Sequence, residues 1–404
     1  MSTSLLYHTW GIRGYTYIHT RYERGKTIFR IEQDAATLRS SCCGSEKIIK
    51  RGVTKRTFKA TPVGNRTVFI EVLVQRVQCS ECSSIRQVDI PFASPGRSYT
   101  KRFERYALGL SRHMTIQAVA NHLGVGWDMI KDIQARYLQH CFDKPKLCNL
   151  KRIAIDEIYL GGRSGYLTIV MDLDSGAVVE VAQGKDAQAL VPFWKRLKHS
   201  RAKIEAVATD MGLAYIKAVR ENLPKATLVF DHFHIIKLYN EKLADLRRTI
   251  AREANALEKK VFKGTRWLLL KTSSKLIVEK DEHTRLQEAL RLNQPLATAY
   301  YMKEDLRRIW QQEDKESAAF LLADWVKRAT TSGVGMLKRF ANTLGAYRSG
   351  ILAYYDFDRL STGPLEGTNN KIKTLQKMAY GFRDLNFLKL KIKALHQTKY
   401  ALVG

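Results

Sequence analysis

Arg152-Ile153-Ala154-Ile155-Asp156-Glu157-Ile158 reads as an apolar strand with an acid inside it, and the elements downstream of it decide the fold. Gly165 to Asp174 and Ala177 to Ala182 are two further strands, with Asp174-Ser175-Gly176 as the hairpin turn between them. Ala187 to His199 is apolar at the helical period. Ile204 to Asp210 is a fourth strand, Met211-Gly212 opens a helix through about Leu223, and Thr227 to Phe230 is a fifth strand that ends in Asp231-His232-Phe233-His234. The order is strand, strand, strand, helix, strand, helix, strand.

That is the order of the ribonuclease H-like α/β fold, in which the first and fourth strands run side by side in parallel. Asp156 and Asp210 then face each other. Such a pair, with a third acid from a late helix, suits two Mg²⁺ or Mn²⁺ ions held roughly 3.5–4 Å apart for in-line phosphoryl transfer, because hard cations want carboxylate oxygens on rigid elements. Other acids nearby read differently. Glu157 points to the opposite face of its strand. Asp172 and Asp174 sit at a hairpin, where acids are common. Asp186 is expected to cap the helix after it. An Asp at a strand end is also often no more than a cap, so Asp156 does not decide the matter alone.

The late helix supplies the third acid. In Leu360-Ser361-Thr362-Gly363-Pro364-Leu365-Glu366-Gly367-Thr368-Asn369-Asn370-Lys371-Ile372-Lys373, Ser361 or Thr362 can cap, Pro364 suits the first turn and Gly381 can end the helix. Glu366, Asn370 and Lys373 share a face. A carboxylate, an amide and an ammonium so aligned suit a metal beside a DNA backbone, with Asn369 and Lys371 as further DNA contacts. A solvated helix face would account for the charges but not for the Gly/Thr/Asn/Asn cluster beside the acid.

Upstream of the first strand lie smaller units. Residues 15 to 31 suggest a hairpin around Glu23-Arg24-Gly25-Lys26. Cys79-Ser80-Glu81-Cys82 is a knuckle that can put two thiolates on one zinc. Its partner half, Ser40-Ser41-Cys42-Cys43-Gly44, is imperfect: Cys43 sits before the knuckle glycine, and Ser40 stands where the fourth ligand is expected. Zn²⁺ on Cys43, Cys79, Cys82 and an uncertain fourth ligand, Cys42 among the choices, competes with a ribbon held by its β-core alone. Cys141 and Cys148 read as ordinary thiols. After a linker around Pro91 to Gly96, Ala120, Gly124 and Ile130 have helix-turn-helix offsets, with the helix from Trp127 to about Tyr137 offered to the major groove and Trp127, Lys131 and Arg136 as DNA contacts. A plain helical hairpin can carry the same pattern. Residues from Ile235 to about Tyr355 are long, charged and helical, and a last helical block runs from Pro364 to about Tyr400.

Composition agrees with a polyanionic partner. Lys and Arg number 68 against 39 acids, a formal charge of +29, and each neutralised phosphate releases condensed counterions. No apolar run approaches the roughly 18–20 residues that span a bilayer. The start lacks a basic segment followed by an apolar core, so no export signal is read. Six cysteines in two groups are too sparse for a disulfide scaffold, and a reducing cytoplasm is expected.

Together these residues resemble the insertion-sequence transposases of the ISL3 family, across nearly the whole chain. The likeness is carried by the cysteine module, the helix-turn-helix, IAIDEI around Asp156, VATDM around Asp210, VFDHFHIIK around Asp231 and His234, RWLLLK from Arg266 to Lys271, and GPLEGTNNKIK around Glu366. It implies a DDE enzyme with Asp156, Asp210 and Glu366 as catalytic, Mg²⁺-binding acids. Asp231 and His234 would stand beside them, the His orienting the scissile phosphate; the plain alternative is a helix cap and a packed ring. Trp267, beside Arg266, is more often a core residue at such a place, the other reading being a base-stacking contact. The expected divisions are an N-terminal hairpin (1–35), a zinc-ribbon-like module (36–95), a helix-turn-helix (96–147), the two parts of the ribonuclease H-like core (148–236 and 359–404) and a large all-α insertion between them (237–358). Ser361-Thr362-Gly363 departs from the Ser-Asn-Gly usual in related proteins. The expected function is cleavage and 3′-OH strand transfer at the element's terminal repeats, by a homodimer on double-stranded DNA, in the bacterial cytoplasm at the nucleoid and without a membrane. A DNA-binding repressor derived from such an enzyme, or a structure-specific nuclease, is the competing expectation.

Overall fold

A computed structural model of the chain describes residues 5–162, 165–272 and 275–396, in two compact units, 1–140 and 141–404. The end of the C-terminal block, near Tyr400, lies outside the described residues.

The first unit opens with α1 (Leu5–Trp10), then β1 (Tyr15–Glu23), β2 (Lys26–Gln33), β3 (Ile48–Val63), β4 (Arg66–Cys79) and β5 (Ile85–Gln87). Arg24 and Gly25 both take positive φ, as a tight two-residue hairpin loop requires, and β1 pairs antiparallel with β2. β2 then runs parallel to β4, which pairs antiparallel with β3 and β5. The hairpin that the sequence sets apart as residues 1–35 therefore joins the sheet that carries the cysteines. Trp10, Phe58, Ile70 and Val72 fill one side of it. On the other side Arg21, Arg30 and Lys55 converge on the buried Glu71 carboxylate.

Three helices come next: α2 (Lys101–Leu110), α3 (Ile116–Leu123) and α4 (Trp127–Phe142). Thr100 and Thr115 cap the first two by accepting backbone N–H bonds. Gly124 ends α3 in the left-handed conformation at φ 58°, and Ala120 and Ile130 are buried where the two helices meet. These are the roles their spacing predicts. Lys59 on β3 reaches over to donate to the Gly124 carbonyl at 2.8 Å.

The second unit is built on β6 (Arg152–Tyr159), β7 (Tyr166–Asp172), β8 (Ala177–Gln183), α5 (Val191–Ser200), β9 (Ala206–Thr209), α6 (Leu213–Asn222) and β10 (Thr227–Phe230). The sheet order is β10-β9-β6-β7-β8. β6, β7 and β8 are antiparallel; β9 lies parallel to β6 on one side and to β10 on the other. Strand alternation sends side chains to two layers. Ile153, Ile155, Val170 and Val179 meet α5 and α6. Ala154, Ile158, Ile169 and Met171 face a larger helical core. Asp186 stands before the turn leading to α5, but its side chain makes no capping bond.

That larger core is supplied by α7 (His232–Glu253), α8 (Ala256–Phe262), α9 (Thr265–Leu270), α10 (Glu282–Leu292), α11 (Gln294–Arg308), α12 (Lys315–Thr331), α13 (Gly335–Ala346), α14 (Arg348–Leu352), α15 (Gly363–Met378) and α16 (Leu385–Lys393). No strand occurs among the described residues of 232–357. The expected boundary at 237 falls inside α7, which starts directly after β10. Buried polar groups join its helices: Tyr239 donates to the Ala299 carbonyl at 2.6 Å, and Trp325 to that of Met302 at 2.7 Å. α14 crosses β10 so closely that a Cβ on Gly350 would lie 2.4 Å from the Phe230 ring. α15 packs on β6 and α16 on β8.

Candidate active site

Asp156 lies mid-strand on β6, on the face that meets α15. Glu157 goes to the other face, where it neighbours Tyr215 of α6. Asp210 comes directly after β9, next to β6 in the sheet. Its Oδ1 accepts the Gly212 N–H at 2.9 Å, and a Cβ on Gly212 would stand 2.7 Å from that oxygen. Glycine at 212 is therefore what lets the carboxylate lie where it does.

α15 reaches Asp156 through Asn369, whose amide donates to Asp156 Oδ2 at 2.8 Å. The sequence offered Asn369 as a DNA contact, but it is buried against the sheet. The reason is helical phase: Leu365, Asn369 and Ile372 form the line against the sheet, and Glu366 stands one turn before Asn369 and about 60° round. Glu366, Asn370, Lys371 and Lys373 are exposed. Among the described residues the Asp156, Asp210 and Glu366 oxygens do not form a group within 4.8 Å. Asp156 lies on β6, Asp210 at the end of the adjacent β9, and Glu366 is exposed on α15.

Asp231 is 1% exposed and works in two directions. Oδ2 accepts from His234, through the ring Nδ1 at 3.1 Å and the backbone N–H at 3.4 Å. Oδ1 accepts the Thr362 N–H at 3.3 Å, at the start of α15. Thr362 is thus the residue at the cap, but its own side chain does not close the helix. Burial alone would raise the Asp231 carboxyl. The His234 bond, the charges of His232 and His234 and the Thr362 N–H outweigh it and hold the group below the usual carboxylate range. His234 is pushed up, chiefly by its bond to Asp231 against the effect of burial, with Asp156 and Asp210 adding to it. Its Nε2 stands 4.0 Å from Asp156 Oδ1. Asp156 is itself raised, first by burial and then by Asp210 and Glu157, against the opposing pull of the Glu157 N–H and His234.

This is an environment that fits hard cations. It offers carboxylate oxygens, one of them raised by burial and by a like charge, and it contains a buried acceptor, Asn369 Oδ1, with no hydrogen-bond partner among the described residues. Neither Asn369 as the amide on Asp156 nor Gly212 was marked by sequence; the pattern put Asn370 on the face of Glu366 and Lys373 and Asn369 among the DNA contacts, and only the packing of α15 turns Asn369 to Asp156.

The cysteine module is more closed. The sulfurs of Cys43, Cys79 and Cys82 lie within 4.8 Å of one another. Cys42 is not in the group. Ser40 stands beside it: its Oγ is 3.9 Å from Cys82 Sγ, and the Ser40–Gly44 turn, closed by Gly44 N–H to Ser40 carbonyl at 2.8 Å, brings Ser40 and Cys43 to the same side. Cys82 is held down to about 6, chiefly by the Ser84 hydroxyl and N–H. A thiol so placed gives up its proton readily to a soft metal, and the set fits zinc.

Among the DNA contacts expected from sequence, Trp127 is half-exposed with the Lys131 ammonium 5.5 Å from its ring centroid, on one face of α4. Arg136 is turned inward, where it pairs with Glu104 at 3.0 Å and Asp132 at 3.2 Å and donates to Tyr99. It ties α4 to α2. Trp267 is 64% exposed, which overturns its reading as core; Arg266 stacks over it at 5.0 Å.

Comparison with known proteins now adds to the geometry. Residues 153–392 match a family model described as a transposase of the DDE type, ISL3 group. Residues 88–138 match the helix-turn-helix domain of transposase family ISL3, and residues 41–82 the zinc-finger of the transposases of IS204, IS1001, IS1096 and IS1165. The chain is 29% identical over 377 residues to the transposase for insertion sequence element IS1001 of Bordetella parapertussis, covering 92% of each. It is 27% identical over 385 residues to the transposase for IS1557 of Mycobacterium tuberculosis, covering 89% of this chain and 86% of that one. A Drosophila P element transposase strand transfer complex aligns with 74% of this chain and 92% of its own at a TM-score of 0.39 and 13% identity, a likeness too slight to build on. These likenesses favour neither a repressor nor a structure-specific nuclease. With the family model covering more than half its length, the chain belongs to the ISL3 family of DDE transposases, and it is a DNA transposase.

Proposed function

We propose that this transposase recognises the terminal repeats of its insertion sequence, hydrolyses a phosphodiester there to free a 3′-OH, and directs that 3′-OH at target DNA. The observation that carries the reading is Asp156 and Asp210 on neighbouring parallel strands, with the first turns of α15 and the Asp231–His234 pair against Asp156. In the first step a water oxygen attacks phosphorus and the 3′-oxygen leaves, taking a proton. In the second that 3′-oxygen attacks a target phosphodiester and displaces its 3′-oxygen.

Asp156, Asp210 and Glu366 would hold two Mg²⁺ or Mn²⁺ ions, which supply activation of the attacking oxygen and stabilisation of the leaving one. Asn369 fixes the Asp156 carboxylate, Gly212 that of Asp210, and Asp231 fixes both the His234 ring and the start of α15. His234 Nε2 is the donor offered to the scissile phosphate. We assign the five-stranded sheet with its flanking helices to a ribonuclease H-like core, 148–236 and 359–404, with 237–358 as an all-α insertion. Residues 1–35, 36–95 and 96–147 form the hairpin, the zinc ribbon and the helix-turn-helix that read DNA. A homodimer pairs two ends, in the cytoplasm at the nucleoid; no helix among the described residues is long and apolar enough to cross a membrane.

The test is strand joining. Full-length protein, its own end DNA pre-cut to a 3′-OH and a supercoiled target are incubated with Mg²⁺ or Mn²⁺. Covalent joining of the end to the target is expected. Cutting of uncut ends without any joining would replace this reading by that of a nuclease.

A further inference from the structure

The first turn of α7 has two sides. Asp231 and His234 face the acids. His232 and Phe233, between them in sequence, line a separate cavity of ≈ 670 Å³ that runs along α7 to α9 and the end of α11. Helical pitch puts these two lining residues within about 5.4 Å along the helix axis of the Asp231–His234 pair.

The lining has three features that together specify a ligand. First, it is cationic: Lys237, Arg266, Lys275 and Arg307 stand against the single acid Glu241. Arg247, also on α7, is held below the usual guanidinium value by burial and by the charges of Arg266 and Arg248, so positive charge crowds this region. Second, it carries aromatic surface. Phe233 is 51% exposed, its ring 4.0 Å from that of His232, which in turn lies 5.9 Å from Trp310. Third, it holds polar atoms in want of partners. Asn240 Oδ1, Arg307 Nε and Trp310 Nε1 are buried and have no hydrogen-bond partner among the described residues. Native structures seldom leave such groups unsatisfied unless a ligand or water completes them. The wall is also stiff: the buried Lys303 ammonium donates at 2.7 Å to the carbonyls of both Leu269 and Lys271, closing the end of α9 that bears Arg266 and Leu270.

An acceptor, two donors, an aromatic face and a cluster of cations match one base with its phosphate. We propose that this cavity receives a single nucleotide extruded from the duplex beside the cleavage point. The base lies against Phe233 and His232, its edge bonds Asn240 and Trp310, and its phosphate meets Arg266, Arg307 and Lys275. Extrusion would pull the scissile phosphate towards the acids, because His232 and Phe233 of the cavity share one helical turn with His234, whose Nε2 stands 4.0 Å from Asp156 Oδ1. The inference rests on the transposase reading.

The test is a rescue by an abasic nucleotide. Asn240→Ala and Trp310→Phe are compared with the unaltered full-length protein on duplexes of the element's end, either intact or with one abasic nucleotide placed in turn at each position around the cut. Both variants should cut the intact duplex about tenfold more slowly, the scale of one lost base contact, with end binding in gel shift unchanged. At one position the abasic duplex should be cut by variants and unaltered protein at equal rates. Variants as fast as the unaltered protein on intact DNA, or equally slow on every duplex, would overturn the pocket, since a folding defect is not relieved by removing a base. Failure of the unaltered protein to cut any duplex would overturn the cleavage reading first and the pocket with it.

Discussion

The cysteine turn and the acid site are built by opposite means. Three thiols stand within 4.8 Å of one another, and each is set by its own turn: Cys43 by the Ser40–Gly44 turn and Cys79 and Cys82 by the knuckle between β4 and β5. The acids come from 156, 210 and 366, on two strand positions and a late helix, and they are not drawn together. The difference is electrostatic and topological. A thiol's ordinary value lies above neutrality and a carboxylate's well below it, so thiols crowd at less cost, even with Cys82 held down to about 6 by the Ser84 hydroxyl and N–H. Carboxylates already carry charge, and Asp156 is raised first by burial and then, to a smaller degree, by the charges of Asp210 and Glu157. A structural metal site can be preassembled locally, whereas the acid site, on the proposed reading, would be completed by its ions and its DNA.

The largest effect that would break this contrast is at the supports of the acids. Asn369→Ala and Gly212→Ala should each slow cleavage about ten- to hundredfold, the range for partners that orient metal ligands. Full-rate cleavage by both would mean that the acids need no such support. A tenfold effect is expected on the other side of the comparison. Ser40→Cys completes a four-thiolate set, so zinc affinity of the chain, measured by chelator competition, should rise at least about tenfold. Unchanged affinity would place the fourth ligand elsewhere. The smallest effect concerns α15. Lys373 stands about 40° from Asn369 and Lys371 about 200°, so Lys373→Ala should weaken cleavage and lower the salt slope of DNA binding by about one unit. Lys371→Ala should do much less. Equal effects would show that the helix does not present one face to DNA.

Much of this was legible in the sequence where a short-range rule governs. Period-two alternation around Ile153–Ile158 fixes which face Asp156 takes, and a left-handed Gly124 ends α3 because only such a residue tolerates the turn. Errors arose where a partner distant in sequence decides. Arg136 reads as a surface cation, yet Glu104 on α2 and Tyr99 just before that helix pair with it. Trp267 reads as core because apolar residues in helical blocks usually are, but its neighbours Leu268 and Leu269 take the buried side and leave it outside. Spacing points to Ser40 and thiol chemistry to Cys42, and the closed Ser40–Gly44 turn brings the serine to the side of Cys43. The phase of α15, off by about 60°, hid Asn369 behind Asn370. In each case the local pattern was right and the tertiary contact was invisible to it.

The central claim is that Asp156, Asp210 and Glu366 act together on metal although the structure leaves them apart. It is tested most directly by mapping, to the nucleotide, the cuts made in end DNA with Mg²⁺ or Mn²⁺ by the unaltered chain and by Asp156→Asn, Asp210→Asn and Glu366→Gln, with end binding measured in parallel. The account predicts one cut that frees a 3′-OH, absent in all three variants, with binding largely kept because affinity comes mainly from Lys and Arg contacts. Undiminished cutting by any one variant would contradict it and remove that residue from the site.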